Sequence, residues 1–167
     1  MSSGEPDHVG RIQAQWRRER PELDVSPLGV VGRLHRLADA LNSELRALFA
    51  RAGLSDGDFD VLASLRRSGE PFALTPGELA ATTMVTSGAV TKRVDRLEAQ
   101  GYVTRTVSPA DGRSRTIALT PVGRALIDEL FPLHVENERR LLAGLSADER
   151  DELARLLEKW GRSLDAG

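Results

Sequence analysis

The sequence has no cysteine, few aromatic residues and no long hydrophobic run. Without cysteine the chain can form neither a disulfide nor a thiolate metal site, and it cannot act as a cysteine redox sensor. No apolar stretch approaches the roughly 18 residues that a membrane-spanning helix needs. The polar N-terminus also lacks the hydrophobic segment of a signal peptide. We therefore expect a cytoplasmic protein with no membrane partner.

A strong excess of charge of either sign is missing as well, because the net charge is −2 over 167 residues. This near balance argues against a protein that coats nucleic acid through its total charge. The length suits one domain with a substantial core. Because aromatic residues make up only 4% and leucine and alanine alternate with arginine and glutamate, we predict a mainly helical fold.

The stretch Thr75–Thr120 has the pattern of a helix-turn-helix followed by a β-hairpin. The sequence Thr-Pro-Gly-Glu at Thr75 combines a capping box with proline in the first turn, so it predicts the start of a short helix. Thr86 can cap a second helix, which runs to about Gln100 and ends at Gly101. This second helix is the candidate recognition helix of a DNA-binding protein.

The two sides of the candidate recognition helix differ in polarity. With about 100° between successive residues, Val90, Val94 and Leu97 form one apolar stripe, which we predict to be buried. Such a helix fits the DNA major groove, where Thr, Ser and Lys reach base edges or phosphates. An ordinary solvated helix face remains the alternative. The opposite side carries Gly88, Thr91, Lys92, Asp95 and Arg96.

The β-hairpin that follows has a basic tip. The segments Tyr102–Val107 and Arg115–Leu119 are rich in β-branched residues, and Asp111-Gly112 between them is a strong turn signal. Arg113 and Arg115 lie at or next to this turn. A two-stranded ribbon with arginines at its end resembles a wing that reaches a neighbouring minor groove or its phosphates.

Positive charge is concentrated in this part of the chain. The segment from Lys92 to Arg115 contains six basic and three acidic residues, so its local charge is +3 in a chain whose total is −2. We therefore predict that the helix and the hairpin bind double-stranded DNA. The predicted DNA contacts are Thr86, Ser87, Gly88, Thr91, Lys92, Arg96, Arg113 and Arg115.

Helical segments with apolar stripes flank this region on both sides. We predict three parts: N-terminal helices in residues 1–54, a winged helix-turn-helix in 55–120 and C-terminal helices in 121–167. The terminal helices carry more leucine than a small winged domain can cover, so we expect a dimerisation bundle, with an intrachain bundle as the alternative. A two-fold dimer would place two recognition helices roughly 34 Å apart on a palindromic operator. The predicted elements outside the central stretch are helices over His8–Arg20, Leu28–Arg51, Ser55–Gly69, Val122–Gly144 and from Ser146, and a strand at Phe72–Leu74.

Metal-binding and catalytic patterns are weak. The spacing of aspartates in Asp56–Asp60 suggests a calcium loop, but the sixth position is Val61 instead of glycine and the twelfth is Arg67 instead of glutamate. The three histidines are isolated in sequence, although a dimer could bring His35 and His134 together. There is no phosphate-binding glycine loop and no hydrolase motif. We predict a protein that is not an enzyme and needs no metal or cofactor.

The run GAVTKRVDRLEAQGYVTRTVSPADGRSRTIALTPVGRAL, residues 88–126, resembles the MarR (multiple antibiotic resistance regulator) family of dimeric winged-helix transcription regulators. The resemblance covers about Leu28–Leu164. It implies a repressor whose hold on DNA is relaxed by a small ligand, often anionic or phenolic. It also implies that this ligand binds between the dimerisation helices and the winged domain.

A narrower resemblance concerns the urate-responsive, PecS-type branch of the family. That branch has a Trp in an extra N-terminal helix, an Asp before the helix-turn-helix, and Arg residues in the recognition helix and the first wing strand. These positions hold Trp16, Asp60, Arg93 and Arg105 here. The resemblance implies that Trp16 and Arg105 hold a urate-like anion, that Asp60 senses its charge and that Arg93 passes the displacement to the recognition helix.

The residues themselves support this assignment in part. Arg93 lies about 60° from the centre of the apolar stripe, so it points towards the protein body, where it needs an acidic partner such as Asp60. Other interpretations stay open: Trp16 as a core residue, the aspartates as favourable charges at a helix N-terminus, and Arg105 as a phosphate contact. For the whole protein, the alternatives are a winged-helix protein-interaction module and a regulator of this family that responds to a phenolic acid or another carboxylate.

Overall fold

The computed structural model describes residues 5–83, 87–107 and 115–165 of the chain. It contains two compact units, which divide between Ala47 and Leu48 and are considered separately. Within the described ranges no helix is long and apolar enough to span a membrane. The elements in chain order are α1 (His8–Glu19), α2 (Ser26–Arg51), α3 (Asp56–Arg67), β1 (Ala73–Leu74), α4 (Pro76–Thr82), α5 (Ser87–Ala99), β2 (Val103–Val107), β3 (Arg115–Leu119), α6 (Pro121–Leu141) and α7 (Ala147–Asp165).

The N-terminal unit contains α1 and most of α2. Asp7 caps α1 by accepting a 2.8 Å hydrogen bond from the backbone N–H of Gly10. Both of its carboxylate oxygens also accept from the guanidinium of Arg33 in α2, at 2.9 and 2.8 Å. Helix α2 begins at Ser26, two residues before the predicted start, and Asp24 accepts a 2.9 Å hydrogen bond from the Ser26 N–H.

The second unit has the predicted winged helix-turn-helix architecture. Its core lies between α3, α4, α5, the sheet and α6, and the stripe of Val90, Val94 and Leu97 is buried as predicted, with exposed fractions of 4%, 1% and 0%. The mainly helical, winged-helix fold class is therefore confirmed. The most deeply buried apolar side chains are Val61, Leu62, Leu65, Leu79, Val94, Leu97, Val103 and Ile127.

The wing is an antiparallel three-stranded sheet in the order β1-β3-β2. Ala73 pairs with Ala118 at one edge of β3, and Val103 pairs with Leu119 at the other. Strand β2 begins one residue later than predicted, and β3 has the predicted bounds. The predicted turn at Asp111-Gly112 lies outside the described residues.

Local signals set most helix ends. Gly101 follows α5 with φ +77°, the left-handed conformation that glycine adopts most easily. Gly123 in the first turn of α6 is required by packing, because a Cβ there would lie 1.9 Å from the backbone oxygen of Tyr102. Helix α6 ends at Leu141, three residues before the predicted end at Gly144. The backbone turns there, with the N–H of Leu142 bonded to the oxygen of Glu138.

Candidate nucleic-acid interface

The capping box at Thr75 fixes the first helix of the helix-turn-helix. The Thr75 hydroxyl accepts from the Glu78 N–H at 3.2 Å, and the Thr75 N–H donates to the Glu78 carboxylate at 2.8 Å. This backbone hydrogen bond, with the one from the Thr75 hydroxyl, lowers the pKa of the Glu78 carboxyl. Leu79 in the same helix is fully buried. Helix α4 thus starts in a locally fixed position against the core.

The recognition helix α5 presents a polar face to solvent. Thr91 and Lys92 are exposed, and Arg115 is exposed at the first residue of β3. Ser87 and Gly88 form the first turn of α5, but their side chains are not described. The other two predicted DNA contacts, Thr86 and Arg113, lie outside the described residues. The DNA contacts therefore stay predictions.

Arg96, predicted to contact DNA, is engaged within the chain. Its guanidinium donates to the Ser55 hydroxyl at 2.7 Å and forms an ion pair with the Asp58 carboxylate. Asp58 has no exposed surface, whereas the side chain of Arg96 is 49% exposed. Arg96 is charged and half-exposed, as the sequence predicts, but its partners at the start of α3 were not predicted.

Arg93 points from α5 towards the body of the protein, as its angle from the apolar stripe predicts. Its guanidinium lies against Gly57, where an added Cβ would be 1.9 Å from Nε and 2.2 Å from Cζ. Its Nη1 is buried and, among the described residues, donates no hydrogen bond. Asp60 lies in the second turn of α3 and is half-buried. Pairing of Arg93 with Asp60 stays a prediction, while the contact with Gly57 was not anticipated.

Arg105 joins the wing to the recognition helix. Its backbone N–H donates to the Glu98 carboxylate at 3.0 Å, and its guanidinium contacts the carboxylates of both Asp95 and Glu98. The hydrogen bond to Asp95, followed by those to Glu98, raises the pKa of Arg105, while burial lowers it. Sequence reasoning missed both acidic partners, although their i, i+3 spacing on α5 places them on one helix face.

Trp16, the remaining predicted ligand residue, lies in α1 of the N-terminal unit. Its side chain is 47% exposed, and its role stays a prediction. Elsewhere, His134 of α6 lies among Phe49, Phe59 and Phe131. No cluster of three or more potential metal ligands occurs in the part of the chain that the structure describes.

Known proteins resemble this chain in sequence and in fold. A model described as the MarR family matches residues 52–114. The HTH-type transcriptional regulator PecS of Dickeya dadantii is 42% identical over 156 residues, covering 93% of this chain and 94% of that protein.

Two solved structures extend the similarity to three dimensions. One is Bordetella bronchiseptica BpsR, whose DNA binding is regulated by 6-hydroxynicotinic acid. Its TM-score is 0.69 and its identity 29%, over 78% of this chain and 92% of that one. The other is a mutant of Escherichia coli MarR in complex with operator DNA. Its TM-score is 0.67 and its identity 28%, over 86% of this chain and 96% of that one.

Proposed function

This chain belongs to the MarR family of transcriptional regulators, which bind DNA, and on that premise we propose that it is a cytoplasmic homodimeric repressor that a small anionic ligand releases from a palindromic operator. The observation that carries the proposal is the polarity of α5. Its apolar stripe is buried against its own chain, and its exposed face carries Thr91 and Lys92 beside an arginine-bearing wing. A helix held in this way offers polar and basic side chains to the major groove.

In this proposal the segment 55–120 binds DNA through the recognition helix and the wing. Thr86, Ser87, Gly88 and Thr91 supply contacts near the start of α5, where small side chains allow close approach to the groove. Basic residues of α5 and the wing supply phosphate or minor-groove contacts. These basic contacts are Lys92, Arg113 and Arg115.

Dimerisation is proposed from the apolar stripe of α7. Among the described residues of this helix none is buried, and its four stripe leucines are 40–68% exposed. Contiguous exposed apolar surface of this kind marks an interaction site, and a second copy of the chain covers it with an identical stripe. The stripe consists of Leu153, Leu156, Leu157 and Leu164.

The ligand is proposed to be urate or a related purine anion, held by Trp16 and Arg105 and sensed through Asp60 and Arg93. An anion that reaches Arg105 competes with Asp95 and Glu98 for the same guanidinium, so it weakens the link between wing and recognition helix. The similarity to BpsR, whose DNA binding is regulated by 6-hydroxynicotinic acid, supports a small aromatic anion as the ligand. The choice of urate rests on the resemblance of Trp16, Asp60, Arg93 and Arg105 to the PecS-type branch. A phenolic acid or another carboxylate remains the alternative.

A mobility-shift assay on DNA upstream of the gene tests the proposal. The DNA is titrated with the protein, and the complex is then titrated separately with urate, xanthine, salicylate and citrate. We expect a specific complex that urate dissolves. Arg105→Gln removes both the link to Asp95 and Glu98 and the proposed contact with the anion, so we expect it to bind the operator more weakly than the wild type and to respond little to urate. A matched control is Arg139→Gln, because Arg139 is an exposed arginine that forms an ion pair with Glu136 within α6.

Each outcome of this assay affects a different part of the proposal. If no upstream fragment is bound even at low salt, the repressor function is wrong. If the complex forms and salicylate or citrate dissolves it while urate does not, the assignment of Trp16, Asp60, Arg93 and Arg105 to a urate site is wrong, although DNA binding stands.

A further inference from the structure

The carboxylate of Asp58 is buried at the contact between α3 and the recognition helix. Asp58 is the third residue of α3 and has no exposed surface. One of its oxygens accepts from the N–H and the hydroxyl of Ser55, each at 2.7 Å, and pairs with Arg96. Its other oxygen is buried and has no hydrogen-bond partner among the described residues. Burial of a carboxylate is unfavourable unless a partner compensates it.

Two other helices show that helix capping alone does not explain this burial. Helices α4 and α7 begin with the same type of capping box, in which Glu78 and Glu149 occupy the position of Asp58. Both glutamates are exposed to solvent. A capping carboxylate can therefore remain in water, and the feature that distinguishes Asp58 is its ion pair with Arg96 of the recognition helix.

Arg96 forms the other side of this contact between α5 and α3. Its guanidinium reaches both Ser55 and Asp58 at the first turn of α3, 41 and 38 positions away in sequence. A DNA phosphate that captured this guanidinium would leave a buried carboxylate without its counter-charge, which is strongly unfavourable. The geometry therefore opposes a direct contact between Arg96 and DNA.

We propose that Asp58 is a positioning residue for operator recognition: through its ion pair with Arg96 it fixes the orientation of α5 on α3. Arg96 contributes to DNA binding by holding the helix, while Thr91 and Lys92 on the exposed face contact the DNA. The inference rests on DNA binding by this chain, and it is independent of which ligand, if any, releases the operator.

The test compares operator affinity over a range of salt concentrations for the wild type, Asp58→Asn, Arg96→Gln and the double variant. Asparagine keeps the size of Asp58 and an acceptor for Ser55. We expect each single change to weaken binding roughly 5- to 30-fold, and the double variant to bind no more weakly than the weaker single one, because both changes remove the same interaction. The salt slope should stay at the wild-type value in all three.

Two further variants calibrate the measurement. Lys92→Gln removes a proposed phosphate or base contact and should reduce the log–log salt slope by about 0.9. Glu149→Gln alters a capping carboxylate that forms no ion pair with an arginine in the part of the chain that the structure describes, and it should leave operator affinity within about twofold of the wild type. Circular dichroism of every variant establishes that the fold is kept.

Several results would overturn the inference. They are a salt slope that falls by about 0.9 in Arg96→Gln, effects of the two single changes that simply multiply in the double variant, or unchanged affinity in Asp58→Asn. If either single variant does not fold, the double variant is measured instead, since it leaves no buried carboxylate without a counter-charge, and a salt slope about 0.9 below the wild-type value would overturn the inference. Failure of the wild type to bind any operator would instead refute the proposed function.

Discussion

Two amphipathic helices of the second unit, α5 and α7, differ in the burial of their apolar stripes. In α5 the stripe of Val90, Val94 and Leu97 is covered by the same chain, and the polar face is exposed. In α7 the leucine stripe, with Leu156 at 46% exposure, is open and none of the helix is buried. Packing against its own chain fixes the orientation of α5, so its polar face is available to bind a polar partner. Helix α7 requires another apolar surface.

The contrast also separates the two kinds of contact that a regulator needs. A DNA-binding helix must be held rigidly, because a small misplacement removes several hydrogen bonds to bases or phosphates at once. The recognition helix is held by apolar packing, by its own Arg93 and Arg96, which contact α3, and by Arg105 of β2, which contacts acidic residues of the helix. Helix α7 has exposed ion pairs within its own turns, such as Arg155 with Glu152 and Arg162 with Glu158, which contribute little to stability.

The largest expected effect comes from placing a charge in each stripe. In Leu97→Asp the carboxylate is buried without a partner, so we expect the unit to unfold in the absence of denaturant. In Leu156→Asp the chain should keep its helical circular dichroism. Its self-association constant should weaken about 100-fold, since the charge would lie in the proposed dimer contact.

Far-UV circular dichroism measures the loss of structure in Leu97→Asp. Sedimentation equilibrium over a range of protein concentrations measures the self-association of Leu156→Asp. Arg155→Ala is a suitable control, because it removes only an exposed ion pair of α7. The comparison between the helices fails if the wild type is monomeric at all concentrations, or if Leu156→Asp dimerises as tightly as the wild type.

A smaller effect on stability is expected from Gly57→Ala, which tests the contact between α3 and Arg93 of α5. Alanine in place of a helical glycine usually stabilises by up to about 1 kcal/mol. At Gly57 the added methyl group would collide with the guanidinium of Arg93, which must leave its position. Gly77 is the second residue of α4, as Gly57 is of α3. Beyond its own helix backbone and chain neighbours, no atom of the described residues lies within 4 Å of a Cβ added at Gly77, so Gly77→Ala is a matched control.

We expect the free energy of unfolding to rise in Gly77→Ala and to rise by about 1 kcal/mol less, or to fall, in Gly57→Ala. Urea denaturation of both variants gives the two values. Equal stabilisation at the two positions would show that the contact between Arg93 and Gly57 does not contribute to stability. Apolar packing would then hold α5 without this arginine.

The features that the sequence predicted well are those decided by neighbouring residues. The capping box at Thr75, the helix start at Ser55, the terminator Gly101 and the stripe of Val90 and Val94 each depend on positions within one or two helical turns, and the structure has all of them. Helix bounds differ from the prediction by two or three residues at the start of α2 and at the end of α6.

The features that the sequence did not predict are the partners of charged residues. The position of Arg93 on the helix predicted the direction of its side chain, but not its contact with Gly57. Likewise, the partner of Arg96 is Asp58, and that of Arg105 is Asp95 together with Glu98. Each arginine had several acidic residues within reach along the sequence. The choice among them depends on how α5, α3 and β2 dock, which is a tertiary property.

The smallest expected effect concerns the start of α7 and its dependence on pH. The Ser146 N–H, and then the Ser146 hydroxyl, bond to the Glu149 carboxylate and lower its pKa from the ordinary value of 4.5. A group whose pKa is lower in the folded state stabilises that state above its unfolded pKa. This contribution is lost as the pH falls through the folded value. Glu149→Gln should therefore lower the melting temperature slightly at pH 7 and have less effect at pH 3, as measured by thermal circular dichroism. An equal shift at both pH values would mean that the charge of Glu149 does not support α7, and that this helix depends wholly on the surface that covers its leucines.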